Sequence, residues 1–341
     1  FRVAVVDDKK AMEKLPNVEG LLSYRVDKQE LYLREKQNWN SMAKENEILE
    51  LEAKLGASKQ QLETVQTAQN NLRKELAESK VSISELSTKL LQLEAENKIY
   101  SSCKNALDTI SNAKHGVYKI NPNLKMASGY SNVYCHMTSL PGCSGGGWTL
   151  VMKINGKKET FHYGSSYWSN KVTYNPSGGQ TGFDDLQTKL TTYWDMPFKE
   201  ICLGMKVNDD LNFISISHQA SSLYNLIADG THRSTNIGRS KWLSLVQGSG
   251  LQPHCGLEGF NVHAPTPAFP NLQTVRIGTI GNQENDCSSP DSYIGFGGVS
   301  YNKRVHCSMP KISNTCGNLA YCMPSGGRAK ELPAMGYILV R

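Results

Sequence analysis

Cysteine is absent from the first 102 residues of this 341-residue chain, and proline is absent from residues 45–100, which hold a single glycine, Gly56. No run of 18 or more apolar residues occurs, so a helical membrane span is not expected. No Cys-x-x-Cys pair argues for structural zinc or a redox site, and neither His-Glu-x-x-His nor Gly-x-x-x-x-Gly-Lys-Ser/Thr is present. Basic residues nowhere run together into the stripe that would neutralise a phosphate backbone, which argues against a nucleic-acid partner. Residues 1–100 carry 16 Lys/Arg against 17 Asp/Glu, and the remainder 21 against 14. The positive balance therefore sits on the C-terminal part, and it is mild, compatible with weak attraction to an acidic glycan or mineral surface.

What the chain does contain is divided between two unlike halves. All nine cysteines lie between Cys103 and Cys322, and four of the five tryptophans lie from Trp148 onward. Cysteines at this density indicate an oxidising compartment, so the expected setting is secreted and extracellular. The odd count leaves one cysteine free or paired between chains, and spacing alone does not choose the connectivity.

Residues 45–100 are rich in Leu, Glu, Lys, Gln and Ala, which favour helix. With Ile48 at position a, the a series reads Ile48, Leu55, Leu62, Gln69, Leu76, Ile83, Leu90, Asn97. The d series reads Leu51, Ser58, Val65, Leu72, Ser79, Leu86, Leu93, Tyr100. A seven-residue register held over eight repeats predicts a coiled coil, because a lone amphipathic helix drifts to a period near 3.6 and a globular core demands a wider stripe. At ~1.5 Å per residue such a helix is about 80 Å long. It needs partner helices, and the mixture of Leu and Ile at a with mainly Leu at d leaves dimer and trimer both open. Gln69 and Asn97 at a positions can fix register and parallel alignment at a cost in stability. Residues 1–44, with Pro16, Gly20 and mixed charge, give no clear fold.

Beyond Tyr100 the period becomes strand-like. Trp148, Leu150, Met152 and Ile154 fall on one face, as do Ile201, Leu203, Met205 and Val207. The second group continues through a turn at Asn208-Asp209-Asp210 into a strand over residues 213–217, which reads as a hairpin. Further strands are expected at residues 275–280 and 337–340, with short helices near 223–228 and 241–246.

Four elements in order carry a resemblance: Cys103, then Gly116-Val117-Tyr118-Lys119-Ile120-Asn121-Pro122, then Val133-Tyr134-Cys135-His136-Met137, then Gly145-Gly146-Gly147-Trp148-Thr149-Leu150. In this order and spacing they resemble the opening of a fibrinogen C-terminal domain. The later segments Ile294-Gly295-Phe296-Gly297-Gly298, Cys316-Gly317-Asn318-Leu319 and the terminal Gly336-Tyr337-Ile338-Leu339-Val340-Arg341 are similar in style to intelectin-like lectins. They are also similar to fibrinogen-like proteins of the coral skeletal organic matrix. The resemblance implies an α+β chain: a long α-helical coiled coil (45–100) followed by a disulfide-containing mixed domain built on an antiparallel sheet (101–341). It further implies that Cys103 pairs with Cys135, closing a loop of about 33 residues worth roughly 3–4 kcal/mol on the loop-entropy account. Glycines 145 to 147 would let the backbone pass closely into the strand that carries Trp148. The chain departs from the family in lacking an Asp-x-Asp calcium loop and any tryptophan after Trp242, so calcium and ligand residues do not transfer.

The resemblance implies a non-enzymatic extracellular matrix or recognition protein, self-associated through its coiled coil and binding glycans, matrix proteins or mineral. The alternative is a calcium-dependent sugar-binding lectin. Gly142-Cys143-Ser144-Gly145-Gly146 fits Gly-x-Ser-x-Gly, but the serine precedes a strand instead of standing between strand and helix. His306-Cys307 with Cys316 and Cys322 lacks the short gaps of a zinc site. Calcium is the one candidate cofactor, with Glu284, Asn285, Asp286 and Asp291 as the densest oxygen cluster; a solvated loop closed by a disulfide at Cys287 is the competing explanation. Tyr163, Tyr167, Trp168, Tyr174, Tyr193 and Trp194 supply aromatic faces of the kind that bind sugars, though such density is more often core.

Overall fold

The computed structural model describes residues 2–124, 129–265, 273–299, 314–320 and 330–341. Cys307 and Cys322, considered above for zinc or disulfides, lie outside the described residues. The chain divides into two compact units, residues 1–90 and 91–341, and the long helix runs across that boundary.

Residues 1–44 do fold. Strands β1 (Val3–Val6), β2 (Leu22–Arg25), β3 (Glu30–Glu35) and β4 (Asn38–Lys44) form a sheet in that order, parallel between β1 and β2 and antiparallel thereafter. Helix α1 (Lys9–Glu13) connects the first two strands, capped by Asp8, whose Oδ1 accepts from the Ala11 amide at 2.8 Å. Gln29 and Lys36 adopt positive φ at the two hairpin turns. The unit buries little that is apolar: among the described residues Met12 is its one buried hydrophobic side chain, beside Ser23, Arg25, Glu30 and Arg34. The polar residues are cross-linked through Arg25 with Asp27, Tyr32 with Glu30, and Lys44 with Glu30.

Helix α2 (Glu45–Asn97) is one unbroken element of 53 residues. It ends before Tyr100, and this corrects the heptad assignment at its last position. Residues Ile99–Tyr100 form strand β5, pairing in parallel with β6 (Gly116–Ile120), and Tyr100 is buried edge-on against Tyr118 at 6.1 Å between ring centroids. Its ring thus belongs to the head's core and not to the helical seam. Asn97 likewise accepts a hydrogen bond from Lys119 Nζ at 3.0 Å.

The head is built on two sheets. The first runs β11 (Asp210–Ala220), β10 (Phe198–Val207), β18 (Met335–Val340), β8 (Trp148–Asn155), β7 (Ser131–His136), β6, β5, with β9 (Thr188–Lys189) alongside β8. The second runs β12 (Arg233–Ser234), β13 (His254–Val262), β14 (Val275–Asn282), β15 (Ser292–Phe296), β16 (Cys316–Ala320), β17 (Lys330–Pro333). Among the described residues four short α-helices lie in the connections: α3 (Cys103–Thr109), α4 (Thr192–Asp195), α5 (Leu223–Ile227) and α6 (Arg239–Leu245). The hairpin read from the sequence is β10 and β11, turning at Asn208 with φ 54.

Strand β8 departs from simple alternation, because every residue from Trp148 to Ile154 is buried. It lies between β7 and β18 in the interior of the sheet, and both of its faces are covered, so Thr149, Val151 and Lys153 are enclosed as fully as Trp148. Strand β18 is equally central, and Arg341 extends it: its carbonyl accepts from the Lys199 and Glu200 amides, and its guanidinium lies 4.7 Å from the Trp148 ring centre and pairs with Glu200.

The glycines ahead of Trp148 are required for close approach. A Cβ on Gly146 would lie 2.0 Å from the Met137 carbonyl oxygen, and one on Gly147, where φ is +77°, would lie 2.6 Å from the Lys104 Cα. Both obstacles are backbone. Gly147→Ala should therefore destabilise the head by about 2–4 kcal/mol in urea denaturation of the full chain. A loss below about 0.5 kcal/mol would show that the helix–strand approach tolerates a side chain.

Candidate functional site

Three disulfides join described cysteines: Cys103 with Cys135, Cys143 with Cys202, and Cys255 with Cys287. The first ties the start of α3 to β7, the second ties the turn before β8 to β10, and the third ties β13 to the loop that follows β14. Cys316 is a buried free thiol, and burial pushes its pKa well above the ordinary thiol range. Ser144 is an exposed turn residue between the Cys143 crosslink and β8, with a strand and no helix after it.

The third disulfide closes the loop that carries the candidate calcium ligands. Glu284, Asn285 and Asp286 are exposed there, and Asp286 Oδ1 accepts from the Ser288 amide and hydroxyl, both at 2.7 Å. Asp291 is half-buried, and desolvation, aided by the charge of Glu284, pushes its carboxyl up to about 6. Among the described residues no three His, Cys, Asp or Glu side chains converge as a metal-ligand set.

The aromatic segment of residues 161–194 is where the structure concentrates unusual chemistry. Phe161, Tyr167, Trp168, Tyr174 and Tyr193 meet edge-to-face at centroid distances of 5.4–6.4 Å. Trp168 and Tyr193 are fully buried, and the Tyr193 hydroxyl donates to the Trp168 carbonyl at 2.7 Å. These rings enclose a cation. The Lys189 ammonium is fully buried, with Nζ 4.7 Å from the Tyr193 ring centre, 5.4 Å from that of Trp194 and 5.8 Å from that of Tyr167. It donates to the carbonyl and side-chain oxygens of Asn170 at 2.7 and 2.9 Å, and no carboxylate pairs with it among the described residues. Desolvation lowers its pKa to about 8.

A second buried lysine has the opposite solution. Lys153 on β8 pairs with Asp184 and also donates to Thr181 and the Gly182 carbonyl. A third charge, Glu258 on β13, is satisfied by neutral donors alone. Its carboxylate accepts from the Ile237 amide at 2.6 Å, the Gly238 amide at 3.1 Å and Trp242 Nε1 at 2.7 Å, holding the entry to α6.

Arg276 on β14 resembles Lys189 in having no carboxylate partner among the described residues. Its guanidinium lies 4.2 Å from the Tyr163 ring centre, Nε donates to the Tyr163 carbonyl at 2.8 Å, and Nη1 donates to Asn261 Oδ1 at 2.7 Å. None of Lys153, Lys189, Glu258 or Arg276 stands out in the sequence, because each depends on partners that the fold brings from a distance. The aromatic density around residues 163–194 was the one legible signal. The six aromatics read as sugar platforms therefore take different roles: Trp168 and Tyr193 are core, Tyr193 also faces Lys189 together with Tyr167 and Trp194, Tyr174 packs on Phe161 and Tyr167, and Tyr163 carries Arg276.

On the opposite side of the first sheet, His115 and His136 stack at 4.0 Å between ring centroids. Burial and the charge of His115 lower His136 to about 4. The neutral ring is the one the fold accommodates.

The chain matches no family model and no curated protein.

Buried Lys189 and half-buried His136 make stability depend on pH with the same sign. The unfolded chain binds the extra proton between pH 8 and 10.5 for Lys189 and between about 4 and 6.5 for His136, so stability rises with pH through each window. Lys189→Met should flatten the upper window and His136→Phe the lower one, in urea denaturation of the full chain across pH. An unchanged slope in either variant would contradict the corresponding assignment.

Proposed function

We propose that this protein is a secreted, non-enzymatic matrix or recognition protein whose N-terminal half gathers copies of a fibrinogen-like head for multivalent binding. The observation that carries this reading is the state of the helical seam. The eleven apolar side chains at its a and d positions, from Ile48 to Leu93, are each 42–65% exposed in the single chain. Burying them would contribute on the order of 1–2 kcal/mol apiece, and a helix of this composition has no surface of its own on which to do so.

The N-terminal sheet supports the same conclusion independently. Val3, Val5, Val18, Val26 and Met42 are exposed while, among the described residues, only Met12 is enclosed, too small an apolar core for a unit of this size. It also leaves Ser23 Oγ, Arg34 Nη1 and Trp39 Nε1 enclosed without partners. Both parts are completed most simply by further copies of this chain, as a dimer or trimer.

In such an assembly weak heads gain strength from raised local concentration when several engage one surface. The three disulfides fit an extracellular setting, and the resemblance of the head to skeletal organic matrix proteins favours a structural matrix role. The rival, a calcium-dependent lectin, is separated from it by a glycan array run with and without calcium: retention on matrix or mineral without sugar inhibition favours the matrix role.

Sedimentation equilibrium of the full chain at micromolar concentration should give an integral multiple of the chain mass. Leu72→Lys combined with Leu76→Lys should shift it toward monomer. A wild-type chain that sediments as a monomer would overturn the reading.

A further inference from the structure

Arg276 is the one arginine among the described residues of the head that keeps an unused terminal nitrogen and has no carboxylate partner. Arg233 pairs with Asp229, Arg341 pairs with Glu200, and Arg239 spends Nη1 and Nη2 on the Gln252 and Leu251 carbonyls. Arg276 spends Nε on Tyr163 and Nη1 on Asn261 and, at 3.4 Å, the Ile227 carbonyl. Its Nη2 donates to no described residue, and it is not among the enclosed polar atoms.

The side chain is nevertheless held firmly. Tyr163 covers one face of the guanidinium at 4.2 Å. Asn261, which receives Nη1, is itself fixed at φ 50 with Nδ2 donating to the Ile227 and Thr231 carbonyls at 3.1 and 3.0 Å. No carboxylate neutralises the charge, and the stretches outside the described residues contain no Asp or Glu that could. Partial burial without a counter-charge lowers the pKa of this arginine from its usual value while leaving it a cation. A fixed, partly desolvated guanidinium with free N–H groups is costly in isolation and favours an incoming oxyanion.

We propose that Arg276 is a docking point for the carboxylate or sulfate of an acidic sugar, with Nη2 as the donor and Tyr163 and Asn261 as the residues that hold it in place. This deepens the recognition role above and rests on it. One arginine binds one oxyanion weakly, so copies of the head would gain useful affinity only on a polymer that repeats the charge, as acidic polysaccharides do.

The test measures retention of the full chain on surfaces bearing a glucuronate polymer, a polymer of N-acetylglucosamine 6-sulfate, or a neutral glucose polymer, at matched ionic strength. The wild-type chain should bind one or both acidic surfaces and not the neutral one. Arg276→Gln should lose at least about tenfold, and Arg276→Lys, which keeps the charge without the fork, should lose an intermediate amount. The two acidic arms distinguish carboxylate from sulfate. Equal retention of wild type and either folded variant, or no preference for the acidic polymers, would overturn the proposal.

Should both variants misfold, the wild-type chain still decides. Phenylglyoxal modification of Arg276, mapped by peptide mass, should slow in the presence of free glucuronate or N-acetylglucosamine 6-sulfate, and an unchanged rate with both contradicts the site. An oligomeric chain that ignores both acidic polymers loses this inference alone. A monomeric chain whose Arg276 is protected by the free sugar keeps the site and loses the multivalent reading.

Discussion

A helix of 53 residues whose leucines and isoleucines fall mostly on a seven-residue repeat cannot satisfy itself. Backbone hydrogen bonds close within the element, but the apolar stripe they carry stays in water unless another stripe covers it. The register argues what kind of cover it needs: a strict seven-residue repeat keeps one narrow seam aligned only against helices that supercoil with it. The N-terminal sheet poses the same problem in a different geometry, with valines outside and charged residues inside. Everything proposed about multivalent display depends on this apolar surface being covered by copies of the chain.

The head solves the opposite problem. Its apolar core is continuous around Trp148, Trp168 and Trp242, and what it must accommodate is charge. It does so in three ways: Lys153 is given a carboxylate, Glu258 a ring of neutral donors, and Lys189 a cage of aromatic rings with two oxygens. Arg276 shares the third arrangement but remains open on one edge, and that difference turns a structural cation into a candidate site. In the proposed recognition role the aromatic segment contributes through the cation that one of its rings supports rather than through bare ring faces.

Legibility followed the range of the interactions. The helix could be read because its repeat is local, and the hairpin of β10 and β11 because alternation and its turn are contiguous. The heptad count went one residue set too far at Tyr100, since periodicity carries no information about the strand that captures that ring. Residues 1–44 gave no fold because their strands are short and bury charge, so hydrophobic alternation is weak exactly where pairing is strong. The Cys103 and Cys135 pair came with the resemblance of the head, whereas Cys143 with Cys202 and Cys255 with Cys287 depend on which strands become neighbours. Lys189, Glu258 and Arg276 were invisible for the same reason: the partners that matter to Arg276, Asn261 and Tyr163, stand 15 and 113 positions away.

The most direct test of the account asks whether seam meets seam. Ser79 occupies a d position and Val81 an f position of the same heptad, so Ser79→Cys places its thiol against the equivalent residue of a parallel partner while Val81→Cys points away. Under mild oxidation the Ser79→Cys chain should migrate as a covalent dimer on a non-reducing gel and the Val81→Cys chain as a monomer. Equal crosslinking of the two variants, or none in either, would contradict the central claim.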